Sequence, residues 1–141
     1  MVEDILKKVL KQEFEAERRY TDQINKIKNL VVKKLLMNLR EAEIDHKDEC
    51  IVRIQEIDPT FDDSRFKSRD KITNFVKEDD INEIVQMLEL DIEKEREAGK
   101  LYLGYSKEVN NIDISTLLMK FREDELEHAA KLINLVNQLK L

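Results

Sequence analysis

The chain has 141 residues, a length that suits one domain built around one core, here residues 1–141. Its residues are 41% apolar and 40% charged, which is too apolar for a disordered chain and too charged for a membrane protein. The net charge of −6 comes from 25 basic and 31 acidic side chains whose signs are interspersed, and this pattern argues against nucleic acid as a partner.

The first half of the chain predicts two long helices. Apolar residues recur at helical spacing from about Glu3 to Ile27 and again from Leu35 to Ile57. A tight turn falls near Lys28 to Leu30. The second helix ends at Asp58–Pro59, because proline disfavours helical backbone in the residue before it. These two helices are expected to form a hairpin.

A connection of about twenty residues, Thr60 to Asp79, follows the first hairpin. Its apolar pattern is weaker, and Ile72, Phe75 and Val76 predict only a short helical piece there. A connection of this length can cross a helical bundle from end to end, as bundles with one crossover require.

The second half of the chain predicts another helical hairpin. Asp80 is placed to cap a third helix that runs from Ile81 to about Val109. Asn110–Asn111 predicts a turn, and Asp113 is placed to cap a fourth helix that reaches nearly to Leu141. The predicted fold is therefore all-α: an antiparallel four-helix bundle of two helical hairpins joined by one long crossover.

The two halves of the chain repeat one pattern at an offset of 82 residues. The first half holds Glu13-x-x-Ala16-x-x-x-Tyr20 and then Arg40-Glu41-x-Glu43-x-x-His46. The second half holds Glu95-x-x-Ala98-x-x-x-Tyr102 and then Arg122-Glu123-x-Glu125-x-x-His128, in register and without a gap. A duplicated helical hairpin is the simplest explanation. A pseudo-twofold axis between the copies would place equivalent residues on opposite sides of one centre.

The repeated residues fall on the inward faces of the predicted helices. Residues three apart share a helix face, so Glu43 points the same way as His46, and the second copy repeats this arrangement. Burial of four carboxylates without partners costs several kcal/mol for each ion, whereas two divalent cations would cancel that charge. The sequence therefore predicts a site for two metal ions. Its six ligands are Glu13, Glu43, His46, Glu95, Glu125 and His128.

Four carboxylates and two imidazoles form a donor set that suits iron or manganese, and zinc also binds such sets by its affinity. In each half the first glutamate can serve one ion from outside, while Glu43 and Glu125 bridge the ions. Tyr20 and Tyr102 lie two turns further along the same stripes. Their hydroxyls can hydrogen-bond the carboxylates and orient them, or the two rings can be simple core aromatics.

Three features of the sequence favour a cytoplasmic location. No apolar run approaches the roughly 20 residues of a membrane span. The start of the chain, Met1-Val2-Glu3-Asp4, is acidic and amphipathic, unlike a signal peptide. Cys50 is the single cysteine, which excludes an intramolecular disulfide and is expected to be a small buried core residue.

One Glu on each of two helices and Glu-x-x-His on the other two is the ligand pattern of the ferritin-like di-iron carboxylate proteins. The sequence resembles that superfamily over nearly its whole length. Within it, Glu-x-x-Ala-x-x-x-Tyr followed by Glu-x-x-His looks most like rubrerythrin. The resemblance implies two iron ions at the six predicted ligands, a ferritin-like bundle with one long crossover, and a homodimer. The implied activities are the reduction of peroxide or dioxygen at iron and the oxidation of Fe(II).

The sequence departs from the rubrerythrin pattern in two places. Rubrerythrins usually carry a rubredoxin domain with four cysteines, so the single Cys50 here implies an external electron donor such as a separate rubredoxin-like protein. Rubrerythrins also carry an extra glutamate one turn from the third-helix ligand. The residues three positions either side of Glu95 are Ile92 and Ala98, which predicts a more symmetric site with six ligands.

Two other functions are compatible with the same residues. The protein can bind and sequester metal without turnover, or it can be a structural helical module whose acidic stripe serves solubility. A glutamate on an apolar stripe is more often an edge residue that reaches water than a ligand. Burial of the six residues would therefore favour the metal site, and their exposure to water would favour the structural module.

Overall fold

The computed structural model describes residues 1–66 and 80–141, and within these ranges the secondary structure is helical. The four long helices are α1 (Val2–Lys26), α2 (Leu30–Ile57), α3 (Ile81–Glu108) and α4 (Ile112–Leu139). Helices α1 and α2 pack together as the first hairpin, and α3 and α4 pack together as the second hairpin. The predicted all-α class with two helical hairpins is confirmed. The helix ends agree with the predicted ones to within about two residues, except that α2 begins at Leu30, five residues before the predicted apolar run opens at Leu35.

The first hairpin turns without a glycine. Ile27, the C-terminal cap of α1, has extended backbone at φ −99° and ψ 136°, a conformation open to any residue. The Asn29 side chain then accepts hydrogen bonds from the backbone N–H groups of Val31 and Val32 at 3.0 and 3.2 Å. The asparagine cap satisfies donors that the start of α2 leaves unpaired, and it fixes where α2 begins.

The second hairpin turns in the same way, 82 positions later. Val109 has extended backbone at φ −81° and ψ 134°, and the Asn111 side chain accepts a hydrogen bond from the N–H of Ile114 at 3.1 Å. The prediction that Asp113 caps α4 is wrong, because Asn111 is the cap and Asp113 lies in the first helical turn. There its negative charge favours the positive end of the helix dipole.

Asp80 caps α3 as predicted. Its carboxylate accepts hydrogen bonds from the backbone N–H groups of Asn82 and Glu83 at 3.0 and 3.3 Å. Helix α2 ends at Ile57, and Asp58 is its C-terminal cap ahead of Pro59, as the proline predicts. The start of α3 and the end of α2 are thus determined by neighbouring residues, Asp80 and Pro59, that can be identified in the sequence.

The chain beyond α2 folds back onto α1. A short 3-10 helix covers Asp63–Phe66, and Phe66 stacks on Phe14 with ring centroids 6.4 Å apart. Phe61 packs beside Phe66 at 5.8 Å. The predicted helical piece at Ile72, Phe75 and Val76 lies outside the described residues, as does most of the predicted crossover. None of the described helices combines the length and the apolar character that a bilayer crossing requires.

Large apolar side chains fill the inward face of each hairpin. In the first hairpin, Leu6, Leu10 and Leu36 are fully buried. In the second, Leu88 and Leu118 are fully buried as well. Burial of each such leucine contributes roughly 1.5–3 kcal/mol relative to its exposure to water. The predicted ligand residues interrupt these apolar stripes, so the helices carry them into the interior.

Candidate metal centre

The first hairpin brings Glu13, Glu43 and His46 together as a buried triad. Glu13 comes from the middle of α1, and the other two come from one face of α2. His46 Nδ1 lies 3.4 Å from Glu13 Oε1 and 3.8 Å from Glu43 Oε1. The exposed fractions are 0% for Glu13, 2% for Glu43 and 5% for His46. We call these three residues the first triad.

The second hairpin repeats this arrangement with Glu95, Glu125 and His128, which we call the second triad. His128 Nδ1 lies 3.5 Å from Glu95 Oε2 and 3.9 Å from Glu125 Oε2. All three side chains are buried. The corresponding distances in the two triads differ by about 0.1 Å, so the repeat in the sequence is also a repeat in side-chain geometry.

Each triad has the spacing that one metal ion needs. One carboxylate oxygen from each glutamate and one imidazole nitrogen lie within 4.8 Å of one another. Two ligand atoms that each bind one ion at about 2.1 Å lie roughly 3.0–3.4 Å apart for right and tetrahedral angles. The observed separations of 3.4–3.9 Å need to shorten only slightly. The triads are therefore buried Glu/His clusters that can hold a metal ion, and their carboxylate and imidazole donors suit iron, as they also suit manganese or zinc.

The first triad concentrates negative charge in the interior. Burial, together with the neighbouring Glu43 carboxylate, raises the pKa of Glu13 from 4.5 to about 8, and the His46 imidazole opposes the shift. A carboxyl group with this pKa holds its proton at neutral pH when no cation is near. A bound cation reverses the balance, since it favours the ionised form.

The lysine next to His46 does not serve the first triad. Lys47 Nζ donates to Glu17 Oε2 at 3.0 Å and also lies 5.0 Å from the centroid of the Phe14 ring. Arg40, one turn before Glu43, donates from Nη1 to Thr21 Oγ1 at 3.5 Å. These two contacts direct the cationic groups toward other partners on α1.

The predicted tyrosines are both buried on the helices that carry the first glutamate of each triad. Tyr20 on α1 is 0% exposed, and Tyr102 on α3 is 1% exposed. The Arg19 guanidinium lies 4.9 Å from the centroid of the Tyr20 ring, and Tyr102 meets Phe121 edge to face at 6.3 Å. Both rings are thus core aromatics, and the role of their hydroxyls in orienting carboxylates stays a prediction.

Sequence reasoning missed one buried carboxylate. Asp91 on α3 is 0% exposed and lies four residues before Glu95. The signal was present, because Leu88, Asp91 and Ile92 follow the helical spacing of the apolar stripe. Cys50 is buried as expected, and burial raises the pKa of its thiol well above its usual value, with the charges of Glu13 and Glu49 acting in the same direction.

No protein-family model and no curated protein matches this chain. Among solved structures, the chain is similar to a hypothetical protein from Pyrococcus furiosus, with a TM-score of 0.82 and 18% sequence identity. The match covers 99% of this chain and 90% of that one. At this level of identity the likeness concerns the fold alone, and it extends over the four helices of the chain.

Proposed function

We propose that the protein binds two metal ions, one at each triad, and that with iron bound it acts as an oxidoreductase. The proposed reaction oxidises Fe(II) and reduces peroxide or dioxygen. The observation that carries the proposal is the presence of two equivalent buried triads, each with two carboxylates and one imidazole within reach of a single ion. The resemblance of the ligand pattern to rubrerythrin supports the choice of iron.

The buried carboxylates supply the physical reason for a cation. Glu13, Glu43, Glu95 and Glu125 are each at most 2% exposed. A buried carboxylate that lacks a compensating charge costs several kcal/mol, or else it takes up a proton. One divalent cation per triad would neutralise two carboxylates, and the imidazole would add a neutral donor. The fold therefore gains stability when the metal is bound.

The protein residues would perform binding and orientation. The two carboxylates of each triad would hold the cation in both its oxidation states, and the histidine would complete the set through Nδ1, the atom that faces the carboxylates. Each Fe(II) ion bound there would supply one electron, so the two ions together would supply the two electrons that reduce peroxide to water or dioxygen to peroxide. The burial of both triads limits access to small oxidants and keeps bulk water away.

Three further features belong to the proposal. The sequence has one cysteine, so its own residues supply no four-cysteine iron site, and electrons would come from a separate rubredoxin-like donor. We also propose a homodimer, on the resemblance to rubrerythrin, and a cytoplasmic location, on the single cysteine of the sequence. Each can be measured on purified protein and in fractionated cells.

The test compares the parent with two matched double variants. Glu43→Gln with Glu125→Gln removes one carboxylate from each triad. Glu41→Gln with Glu123→Gln removes two exposed carboxylates from the same two helices. Metal-free protein is titrated with Fe(II) without oxygen, and binding is followed by stoichiometry and by the melting temperature. Peroxide is then mixed in, and the rise of ferric absorbance gives the oxidation rate.

We expect the parent and the exposed-residue control to bind two Fe(II) ions, to melt at a higher temperature when loaded, and to oxidise iron faster than free Fe(II) does. The triad variant should lose the binding and the gain in melting temperature. Two bound ions without accelerated oxidation would leave a metal-sequestering protein and overturn the enzymatic proposal. An unchanged melting temperature with no bound metal would instead indicate a structural helical module.

A further inference from the structure

The two hairpins differ in the buried layer next to their triads. In the second hairpin, Glu95 on α3 faces His128 on α4 at 3.5 Å. Because the two helices run antiparallel, the residue four positions before Glu95 and the residue four positions after His128 lie in the same layer, next to the triad. Those residues are Asp91 and Leu132, and both are 0% exposed.

In the first hairpin, neither of the two residues at the equivalent positions is acidic. His46 faces Glu13 at 3.4 Å, and the same four-residue steps lead to Val9 and Cys50. Both of these side chains are also 0% exposed. The repeat therefore keeps the three ligands of each triad but replaces an apolar residue of the first hairpin with an acid in the second.

We propose that Asp91 makes the metal position of the second triad the tighter of the two, so that it fills first. This inference rests on the proposed function. Residues four apart on a helix lie on one face with Cβ atoms about 6 Å apart, so Asp91 is a neighbour of the ligand Glu95. Asp91 does not belong to the groups of ligand atoms that converge on one ion, so we infer that it acts on the ion through its charge and not as a ligand.

The physical reason is the low dielectric of a buried site. A carboxylate beside a divalent cation attracts it far more strongly in a protein interior than in water. Val9 offers no such attraction to a cation at the first triad. In this buried layer the second triad therefore has an acidic side chain where the first triad has Val9.

The experiment isolates each triad and uses Zn(II), which does not change its oxidation state. His46→Ala leaves only the second triad intact, and His128→Ala leaves only the first. Asp91→Asn is added to each background, because the amide keeps the shape of the carboxylate and removes its charge. Glu93→Gln, an exposed carboxylate on the same helix, is the matched control. Affinities are measured by calorimetry against a competing chelator.

We expect Zn(II) to bind the intact second triad at least tenfold more tightly than the intact first triad. Asp91→Asn should remove most of this advantage in the His46→Ala background and leave the His128→Ala background unchanged. Asp91→Glu, which keeps the charge, should restore tight binding. Glu93→Gln should have no comparable effect in either background.

Two results would overturn the inference while the proposed function stands. One is equal affinity of the two triads. The other is an Asp91→Asn variant that lowers the melting temperature of metal-free protein yet leaves Zn(II) affinity unchanged, which would make Asp91 a purely structural residue. Failure of the parent to bind any Zn(II) would instead overturn the proposed function and this inference with it.

Discussion

His46 Nδ1 lies 3.4 Å from Glu13 Oε1, although the two residues belong to different helices and stand 33 positions apart in the sequence. The contact exists because the asparagine-capped turn sets the antiparallel register of α1 and α2. The same turn in the second hairpin places His128 3.5 Å from Glu95. The geometry of the site therefore depends on the hairpin turns as well as on the ligand residues.

The first prediction concerns the pH dependence of metal-free protein. Glu13 ionises near 4.5 when unfolded and has a folded-state pKa of about 8. The folded state therefore binds the extra proton between these values, so this group's contribution to stability is complete below pH 4.5 and is lost as the pH rises toward 8. Glu13→Gln removes that loss. Relative to the parent, the variant should gain more than about 1.4 kcal/mol between pH 5 and pH 8.

Urea unfolding with a chelator present, at pH 5, 7 and 8, measures this gain. The exposed Glu15 on the same helix provides the matched control variant, Glu15→Gln, with which the gain of Glu13→Gln at each pH is compared. A stability difference between Glu13→Gln and the parent that stays constant with pH would refute the expected protonation of Glu13.

The second prediction concerns the buried tyrosines. Tyr20→Phe with Tyr102→Phe removes two hydroxyls and keeps both rings in the core. If the hydroxyls orient ligand carboxylates, Zn(II) affinity should fall by roughly 10–100-fold, the usual cost of a lost supporting contact. Tyr105→Phe removes the remaining tyrosine hydroxyl, from a half-buried position on α3, and should leave Zn(II) affinity unchanged. Equal affinities in all three proteins would identify Tyr20 and Tyr102 as core aromatics only.

The third prediction concerns the single thiol. Cys50 is 0% exposed, and burial raises its pKa, so little thiolate exists in the folded protein. A thiol-specific chromogenic reagent at pH 8 should react very slowly with native protein and with one equivalent once the protein is unfolded in urea. Rapid modification of the native protein would contradict the packing of α2 described above.

The fourth prediction tests the helix caps. Asn29→Ala and Asn111→Ala each remove a side chain that accepts backbone N–H groups at a helix start, so each should cost about 0.5–2 kcal/mol of stability. Asp113→Ala removes only a favourable charge near the α4 dipole and should cost less, roughly 0.3–1 kcal/mol. Chemical unfolding ranks the three variants. A larger loss of stability from Asp113→Ala than from Asn111→Ala would indicate that Asp113, and not Asn111, caps α4.

The sequence by itself determined the four helices, the hairpin repeat and the membership of both triads. These features are readable because they depend on short-range spacing: residues three or four apart share a helix face, and an identical pattern 82 positions later must fold alike. The sequence could not predict that Asn111 rather than Asp113 caps α4, because both residue types cap helices and the backbone at the turn decides between them.

Only the tertiary structure decided the separations of the ligand atoms, the raised pKa of Glu13 and the burial of Asp91. Each of these quantities depends on the register and the depth at which one helix packs on another. The local sequence fixes the direction in which a side chain leaves its helix. The amount of water that remains around it depends on residues far away in the chain, and that amount governs whether a carboxylate is a surface charge or a ligand.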